Sequence, residues 1–488
     1  MSFTSLEFLL VFLPAAFAAH WLGPRRAGWQ NAVLLVASLA FAWTHSTWLV
    51  ASLAAGVVVD FLVLRGLAIQ DAPRHRRLLL ALSVVTGVGQ LVVFKYTGFL
   101  ATTVNDGLAA LGQPRTLPVV SLALPVGLSY WTLSKLGVAI DAYYRRTTQP
   151  PPSLLQYAAL VTFFPALVAG PVLRSGLLAR LAAPRALTPQ DVHSGAGLFL
   201  LGAVGKGFVS AVIGERLVGP VFQSPDAFGV LAHWLAVGGY AIQIFGDFAG
   251  YSAMAIGVGL LFGLRLPDNF NLPFLSRSMP EVWRRWHMSL NGWLFDFLYT
   301  PAITGQGWLR GRLDLGFVLV FLLSGFWHGA RWTYVLWGLL NGLLLVAHRR
   351  YDEWYRGQCR KDRAWVARRK STPYQLGAWA LTQLAFVLTL VPFGTATFTE
   401  MARFSRGLLT SPGAGLPPLG GPNGLVALAA AVGLLGAYHV LARPEAQAWK
   451  ERLFALPAPV RGVLYGLLFV FLLLFMPLSQ GTFIYAQF

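Results

Sequence analysis

The chain has 488 residues, 56% of them hydrophobic and only 12% charged. Repeated apolar runs long enough to cross a bilayer exclude a soluble globule and predict an all-α, polytopic integral membrane protein. The net charge of +19 does not point to nucleic acid, because the basic residues sit in short loops between apolar runs, as membrane topology alone produces.

In chain order, hydropathy predicts about twelve spanning helices, near 5–22, 29–45, 48–68, 78–100, 119–143, 190–213, 232–262, 313–327, 332–348, 374–394, 424–442 and 462–479. The first run has no basic region before it, so it reads as a mature span and not a cleaved signal. Loops alternate in charge. Basic ones hold Arg25 and Arg26, Arg74 to Arg77, Arg145 and Arg146, Arg174 to Arg185, and Arg349 to Lys370, the last with nine Lys/Arg against three acids. Loops such as 101–118 and 396–423 are Gly/Pro-rich and nearly neutral. Placing the basic set in the cytoplasm puts both termini outside it. With no soluble domain or internal repeat, residues 1–488 read as a single domain. Cys359, the sole cysteine, excludes an intramolecular disulfide and a Cys-based zinc site.

Two apolar segments do not read as simple spans. Leu154–Leu173 is bounded by basic loops and interrupted by Phe163-Phe-Pro-Ala166 and Ala169-Gly-Pro171. Such a broken, re-entrant segment is permissible only where protein shields its backbone from lipid. Asn271 to Thr304 likewise starts and ends on the basic-loop side. Thr188-Pro-Gln-Asp191 and Ser278-Met-Pro-Glu281 read as capping boxes that open helices. The second predicts one helix to about Tyr299, with Trp283, His287, Leu290 and Leu294 on its apolar side. Asp60, Lys135, Asp141, Lys206 and Asp247 fall inside spans and must face protein or water. Asp141 is expected to pair with Arg145. Gly246-x-x-x-Gly250, Gly325-x-x-x-Gly329 and Gly338-x-x-x-Gly342 are expected to let helices approach closely.

The candidate chemistry centres on two histidines. His287 lies in Trp283-Arg-Arg-Trp-His287, and His328 in Ser324-Gly-Phe-Trp-His328-Gly-Ala-Arg-Trp332 between two apolar runs. An ionisable ring there is a functional candidate by default, although a histidine can also simply hydrogen-bond a neighbouring helix. Tryptophans can likewise form an interfacial belt.

At these residues the chain resembles the membrane-bound O-acyltransferase family. The likeness is to its bacterial branch, which includes the membrane subunits of alginate O-acetylation and of D-alanyl transfer to teichoic acids. The matching stretches run in family order: Leu124-Pro-Val-Gly-Leu-Ser129, Ile140-Asp141, Phe163-Phe-Pro165 with Ala169-Gly-Pro171, and Tyr240 to Ser252. They continue through Pro267 to Asn271, Trp283 to Tyr299, Gly325 to Trp337 and Phe483-Ile-Tyr485. The resemblance implies a helical bundle with re-entrant segments around a central tunnel, in a bacterial inner membrane. It makes His328 the catalytic residue, with His287 shaping the cytoplasmic half of the tunnel. Asn291, Trp283, Trp286, Arg284, Trp327, Trp332 and Asp247 would line the passage.

It further implies no permanently bound cofactor, and the residues themselves argue against a metal, since there is no His-Glu-x-x-His and His287 and His328 lack an obvious third ligand. The donor would be a cytoplasmic acyl thioester, on coenzyme A (acetyl-CoA) or on an acyl carrier protein, and an extracytoplasmic acyltransferase or esterase-like partner would complete the transfer. Departures from the family pattern include Ala253, Phe295, Asn341 and Pro392-Phe-Gly-Thr395. They spare both histidines but leave the acyl group, acceptor and partner open. Acetyl transfer is favoured slightly over D-alanyl transfer. A transporter or flippase for an envelope glycolipid is the rival of another class, although transporters commonly show two related halves.

Overall fold

A computed structural model describes residues 1–120, 122, 124–146, 150–419, 421–441 and 456–475. Their backbone is helical, with one β-bridge among the described residues, Phe270 with Trp286. In lipid, a helix satisfies its own backbone hydrogen bonds, which is why long apolar sequences adopt it. Among the described residues, five helices are long and apolar enough to cross a membrane by length and composition: Thr47–Ile69, Pro73–Ala110, Pro189–Gln223, Val230–Leu261 and Thr372–Gly394. Shorter apolar helices of 10–17 residues are Phe8–Leu22, Ala27–Trp43, Leu313–His328, Gly424–His439 and Ala458–Leu472. The expected span 119–143 is helical only from Leu128, after Gly127 turns the chain at φ +75°. Beyond the expected 332–348, the helix runs from Trp332 to Lys361, so Cys359 and much of the basic stretch are helical. The Phe483-Ile-Tyr485 stretch lies outside the described residues.

The chain divides into two compact units. The first comprises Met1–Phe199 and Tyr251–Pro267. Within it, α1 (Thr47–Ile69) and α2 (Leu128–Tyr143) are joined by an ion pair. Lys135 Nζ lies 3.1 Å from an Asp60 carboxylate oxygen, and both side chains are 0% exposed. Gly87 makes room, since a Cβ there would sit 3.2 Å from Lys135 Cε. Pairing is what lets two charges persist at such depth. The broken segment begins with a reciprocal cap between Ser153 and Gln156 and continues as two short helices, Leu154–Val161 and Phe164–Leu167. Ser38 Oγ accepts from Phe164 N–H at 3.0 Å and Ser134 Oγ from Leu173 N–H at 3.1 Å, so side chains of the unit satisfy the interrupted backbone. Asp141 does not pair with Arg145, which bonds Asp71. Its carboxylate accepts from Ser175 Oγ at 2.6 Å and lies 3.8 Å from Arg146.

The second unit comprises Leu200–Gly250 and Asp268–Phe488. Its frame is the hairpin of α3 (Leu313–His328) and α4 (Trp332–Lys361). Glycines set its spacing. A Cβ on Gly325 would lie 2.2 Å from the Tyr334 carbonyl oxygen, and one on Gly338 2.2 Å from that of Phe321. Gly250 likewise faces the Gly202 carbonyl, at 2.6 Å from where its Cβ would be. The glycine pairs therefore act as close-packing surfaces, as their spacing predicts.

Candidate functional site

All nine candidate residues fall in the second unit. The helix expected from Ser278 to Tyr299 is broken at His287. Ser278 Oγ accepts from Glu281 N–H at 3.3 Å and starts the helix Met279–Arg285, while Glu281 reaches back to Arg277 N–H at 2.8 Å. A second helix, Met288–Leu294, follows His287, whose φ of +47° is left-handed. The break exists because the 269–271 segment takes over the backbone bonds: Asn271 N–H donates to Arg285 O and Met288 N–H to Asn269 O, both at 2.9 Å. Propensity favoured a continuous helix, and this non-local pairing overrides it. A non-glycine residue in that conformation is costly and must be held by its surroundings.

Asn269 is what holds it. Its Oδ1 accepts from Ser289 N–H at 3.2 Å and from Ser289 Oγ at 2.8 Å, so that atom is the amide oxygen and not the nitrogen. His287 Nδ1, 3.1 Å from the same oxygen, must then donate. The neutral ring is thereby fixed as the Nδ1–H tautomer with its lone pair on Nε2. The Asn291 amide donates to the Trp286 carbonyl at 2.6 Å and caps the break. Asn269 lies in a stretch that the sequence marks, but nothing local reveals its role.

His328 ends α3 and is 5% exposed. Its ring is caged edge-on by Trp327 and Trp337, each at 5.0 Å between centroids, and by Phe393 at 5.4 Å. Trp327 also approaches His287 at 6.3 Å, so one indole neighbours both imidazoles. Trp283 meets Trp337 at 5.6 Å.

Trp283 also lines a cavity of ≈ 730 Å³ with Arg284, Asn291, Phe317, His348, Arg349, Asp352, Arg356 and Arg369 among its walls. Its charge is strongly basic. Asp352 is engaged by Arg356 at 2.6 Å and Arg369 at 2.7 Å, and Arg349 by Asp314 and Glu353. Burial alone would raise the Asp352 carboxyl. The hydrogen bond from Arg369 and the charges of Arg369 and Arg356 outweigh burial and hold it below the usual carboxylate range. Arg284 has no carboxylate partner among the described residues, whereas Arg285 pairs with Glu281 at 2.9 Å. The two adjacent arginines thus part company, and only Arg284 faces the cavity.

Three candidates lie elsewhere. Trp286 packs into an aromatic cluster with Phe270 and Phe386, each at 5.2 Å, and does not line the cavity. Trp332 is half exposed at the hairpin tip. Asp247 is ion-paired to Lys206, while its neighbour Phe248 meets the His287 ring at 4.5 Å. The sequence missed Asn269, Phe393 and the arginines on the cavity wall beyond Arg284. Their proximity is made by folding and not by spacing.

The family model of the membrane-bound O-acyltransferases matches residues 144–391. The chain is 37% identical over 356 residues to the probable alginate O-acetylase AlgI of Pseudomonas aeruginosa, covering 72% of this chain and 66% of that protein. It is 29% identical over 382 residues to a peptidoglycan O-acetyltransferase of Helicobacter pylori, covering 72% and 71%. It is also 27% identical over 239 residues to a teichoic acid D-alanyltransferase of Bacillus subtilis, covering 47% and 60%. With apolar helices of spanning length and a family match that takes in both histidines, the chain belongs to the membrane-bound O-acyltransferase family and is an acyltransferase.

Proposed function

We propose that the protein carries an acyl group, acetyl in the first instance, from a cytoplasmic thioester across the membrane to a hydroxyl outside. The acceptor hydroxyl belongs to a cell-envelope polysaccharide or to a partner protein. The observation that carries this reading is a shielded imidazole at one end of a hairpin whose other end opens on a basic cavity. Phe317 on the cavity wall precedes His328 by eleven residues, about 16 Å along a helix. The cavity suits a donor with phosphates on coenzyme A or on the arm of an acyl carrier protein, and Arg284 offers it an available cation. Trp283 and Trp337 connect that cavity to the His328 cage.

In this reading, His328 takes the proton of the acceptor hydroxyl as its oxygen attacks the thioester carbonyl. The carbon–sulfur bond breaks, an ester forms, and the proton passes to the departing thiolate. General-base help of this kind contributes about 10²–10⁴-fold. His287, with Nδ1–H tied to Asn269, lines the passage on the donor side. The wider frame belongs to the same proposal: about twelve spans with re-entrant segments around a tunnel, acting as one domain. It includes both termini outside a bacterial inner membrane and a separate extracytoplasmic partner. D-alanyl transfer from a carrier protein is the second reading, supported by likeness to teichoic acid D-alanyltransferases over about half of the chain.

Membranes containing the protein should move label from acetyl-CoA into acid-stable, base-labile ester, and His328→Ala should abolish this while the protein stays folded. Unchanged turnover in that variant would remove the mechanism.

A further inference from the structure

A short helix that follows the Thr372–Gly394 span shows two open faces that the chemistry above does not use. Between Gly394 and Gly424 the only charged residues are Glu400, Arg403 and Arg406, and all three lie on α5 (Phe398–Gly407). Thr397 Oγ1 accepts from Glu400 N–H at 3.1 Å, and the Glu400 carboxylate accepts from Ala396 N–H at 2.8 Å, so the acid is committed to the cap. No carboxylate among the described residues engages Arg403 or Arg406.

Helical spacing divides α5 into three stripes. Met401, Phe404 and Leu408 face the protein, where the Phe404 ring stacks on Phe222 at 4.2 Å and the stripe packs on Val221, Ala232 and Val237. Phe398, Ala402 and Leu409 form a second stripe, with Phe398 50% and Leu409 80% exposed. Arg403 and Arg406, also exposed, form the third. The open apolar stripe therefore lies between the buried one and the arginines.

The neighbours of α5 fix its level. It begins just after Gly394, where one helix of spanning length ends, and its buried stripe packs where two more, Pro189–Gln223 and Val230–Leu261, turn into each other. Trp234, partly exposed on the last of these, donates from Nε1 to Leu408 O at 3.0 Å. Such an amphipathic ring is typical of a membrane surface. A helix at that level with an open apolar stripe beside arginines has the chemistry of one lying in the interface, and a guanidinium fork fits a lipid phosphate. The same segment reaches the imidazole: Thr333 Oγ1 donates to Thr395 O at 2.9 Å, and Phe393 packs on His328 at 5.4 Å. Whatever holds α5 thus holds one wall of the cage.

We propose that α5 is an interfacial phospholipid-binding helix. Its open stripe sits among acyl chains, Arg403 and Arg406 hold the phosphate of an anionic headgroup, and this grip keeps Phe393 against His328. Only the hold on the cage rests on the acyltransfer reading.

The test uses the purified full chain in nanodiscs of phosphatidylcholine, alone or mixed with phosphatidylglycerol. In a Cys359→Ser background, a nitroxide on Leu409→Cys should be relaxed more by oxygen, which concentrates in lipid, than by an aqueous nickel complex. One on Thr399→Cys, on the arginine side, should show the reverse. In detergent, phosphatidylglycerol should bind more tightly than phosphatidylcholine. Arg403→Gln and Arg406→Gln should each weaken it about fivefold, the size expected of one cation at an anionic surface, while the melting temperature holds. Transfer should run several-fold faster in the anionic discs, and the double variant should lose that gain. A Leu409 label open to nickel, or a lipid preference that survives both substitutions, overturns the site. A label open to nickel in discs but shielded in native membranes gives the stripe to a protein partner and overturns it equally. Equal turnover in the two discs overturns the hold on the cage. If the native chain transfers nothing in either disc, the acyltransfer reading fails, while label depth and lipid preference still decide the contact.

Discussion

His287 donates from Nδ1 to Asn269 Oδ1 at 3.1 Å, across the same junction where Met288 N–H bonds Asn269 O at 2.9 Å. One residue therefore fixes both the tautomer of the ring and the left-handed backbone that carries it. Because Asn269 Oδ1 serves three buried donors, Asn269→Ala should cost about 1–3 kcal/mol. Transfer should slow by roughly tenfold or more, with donor affinity unchanged. A thermal melt and a donor titration on the same preparation check this. A fully active variant would show that the tautomer is held by other means.

Arg284 and Arg285 are adjacent, yet only Arg284 lines the cavity, while Arg285 is held by Glu281. Arg284→Gln is expected to raise the donor KM several-fold with little change in kcat, and the effect should shrink with added salt as screening would dictate. Arg285→Gln should leave the donor KM alone and lower stability slightly, since an i,i+4 pair is worth about 0.3–0.5 kcal/mol. Steady-state kinetics at two ionic strengths distinguish the two arginines.

Asp352 clamps Arg356 and Arg369, and its carboxyl is held below the usual range. A carboxyl with a depressed folded pKa contributes stability above its unfolded value, about 3.9. That contribution is lost as the pH falls through the lower folded value. The clamp is therefore closed throughout the neutral range. Asp352→Asn should release two guanidinium groups into the cavity wall and lower the KM of a phosphate-bearing donor at low salt, as measured by donor titration.

Gly338 faces the Phe321 carbonyl, with 2.2 Å between that oxygen and where a Cβ would stand. Gly338→Leu should therefore part the hairpin, at a cost of at least about 1–3 kcal/mol, the usual range for overpacking. It should also abolish transfer without touching either histidine. Retained activity and an unaltered melt would show that the helices can separate freely.

The sequence made much of this legible, and for identifiable reasons. Thr188 and Asp191 bond reciprocally as their spacing predicts, at 3.1 and 3.3 Å. The glycine pairs face carbonyls, and Asp60 finds Lys135 because a buried charge in an apolar helix has few alternatives. What escaped was non-local. The spacing of Trp283, His287 and Leu290 imitates a continuous helix, while the bonds that break it come from residues 269–271. Arg284 and Arg285 look equivalent in one dimension and differ only because Glu281 lies one turn before Arg285. The basic cavity draws on Arg349, Arg356 and Arg369, which as a sequence are merely part of a cytoplasmic-type charge run.

Glycines seal the α3–α4 hairpin along its length. With carbonyls pressed against glycines, its two helices cannot slide past one another, so the interval between the cavity wall and the caged imidazole behaves as a fixed ruler. A donor tethered by too short an arm would stop short of it, however tightly its phosphates were gripped. Reach, and not affinity alone, would then sort productive thioesters from idle ones.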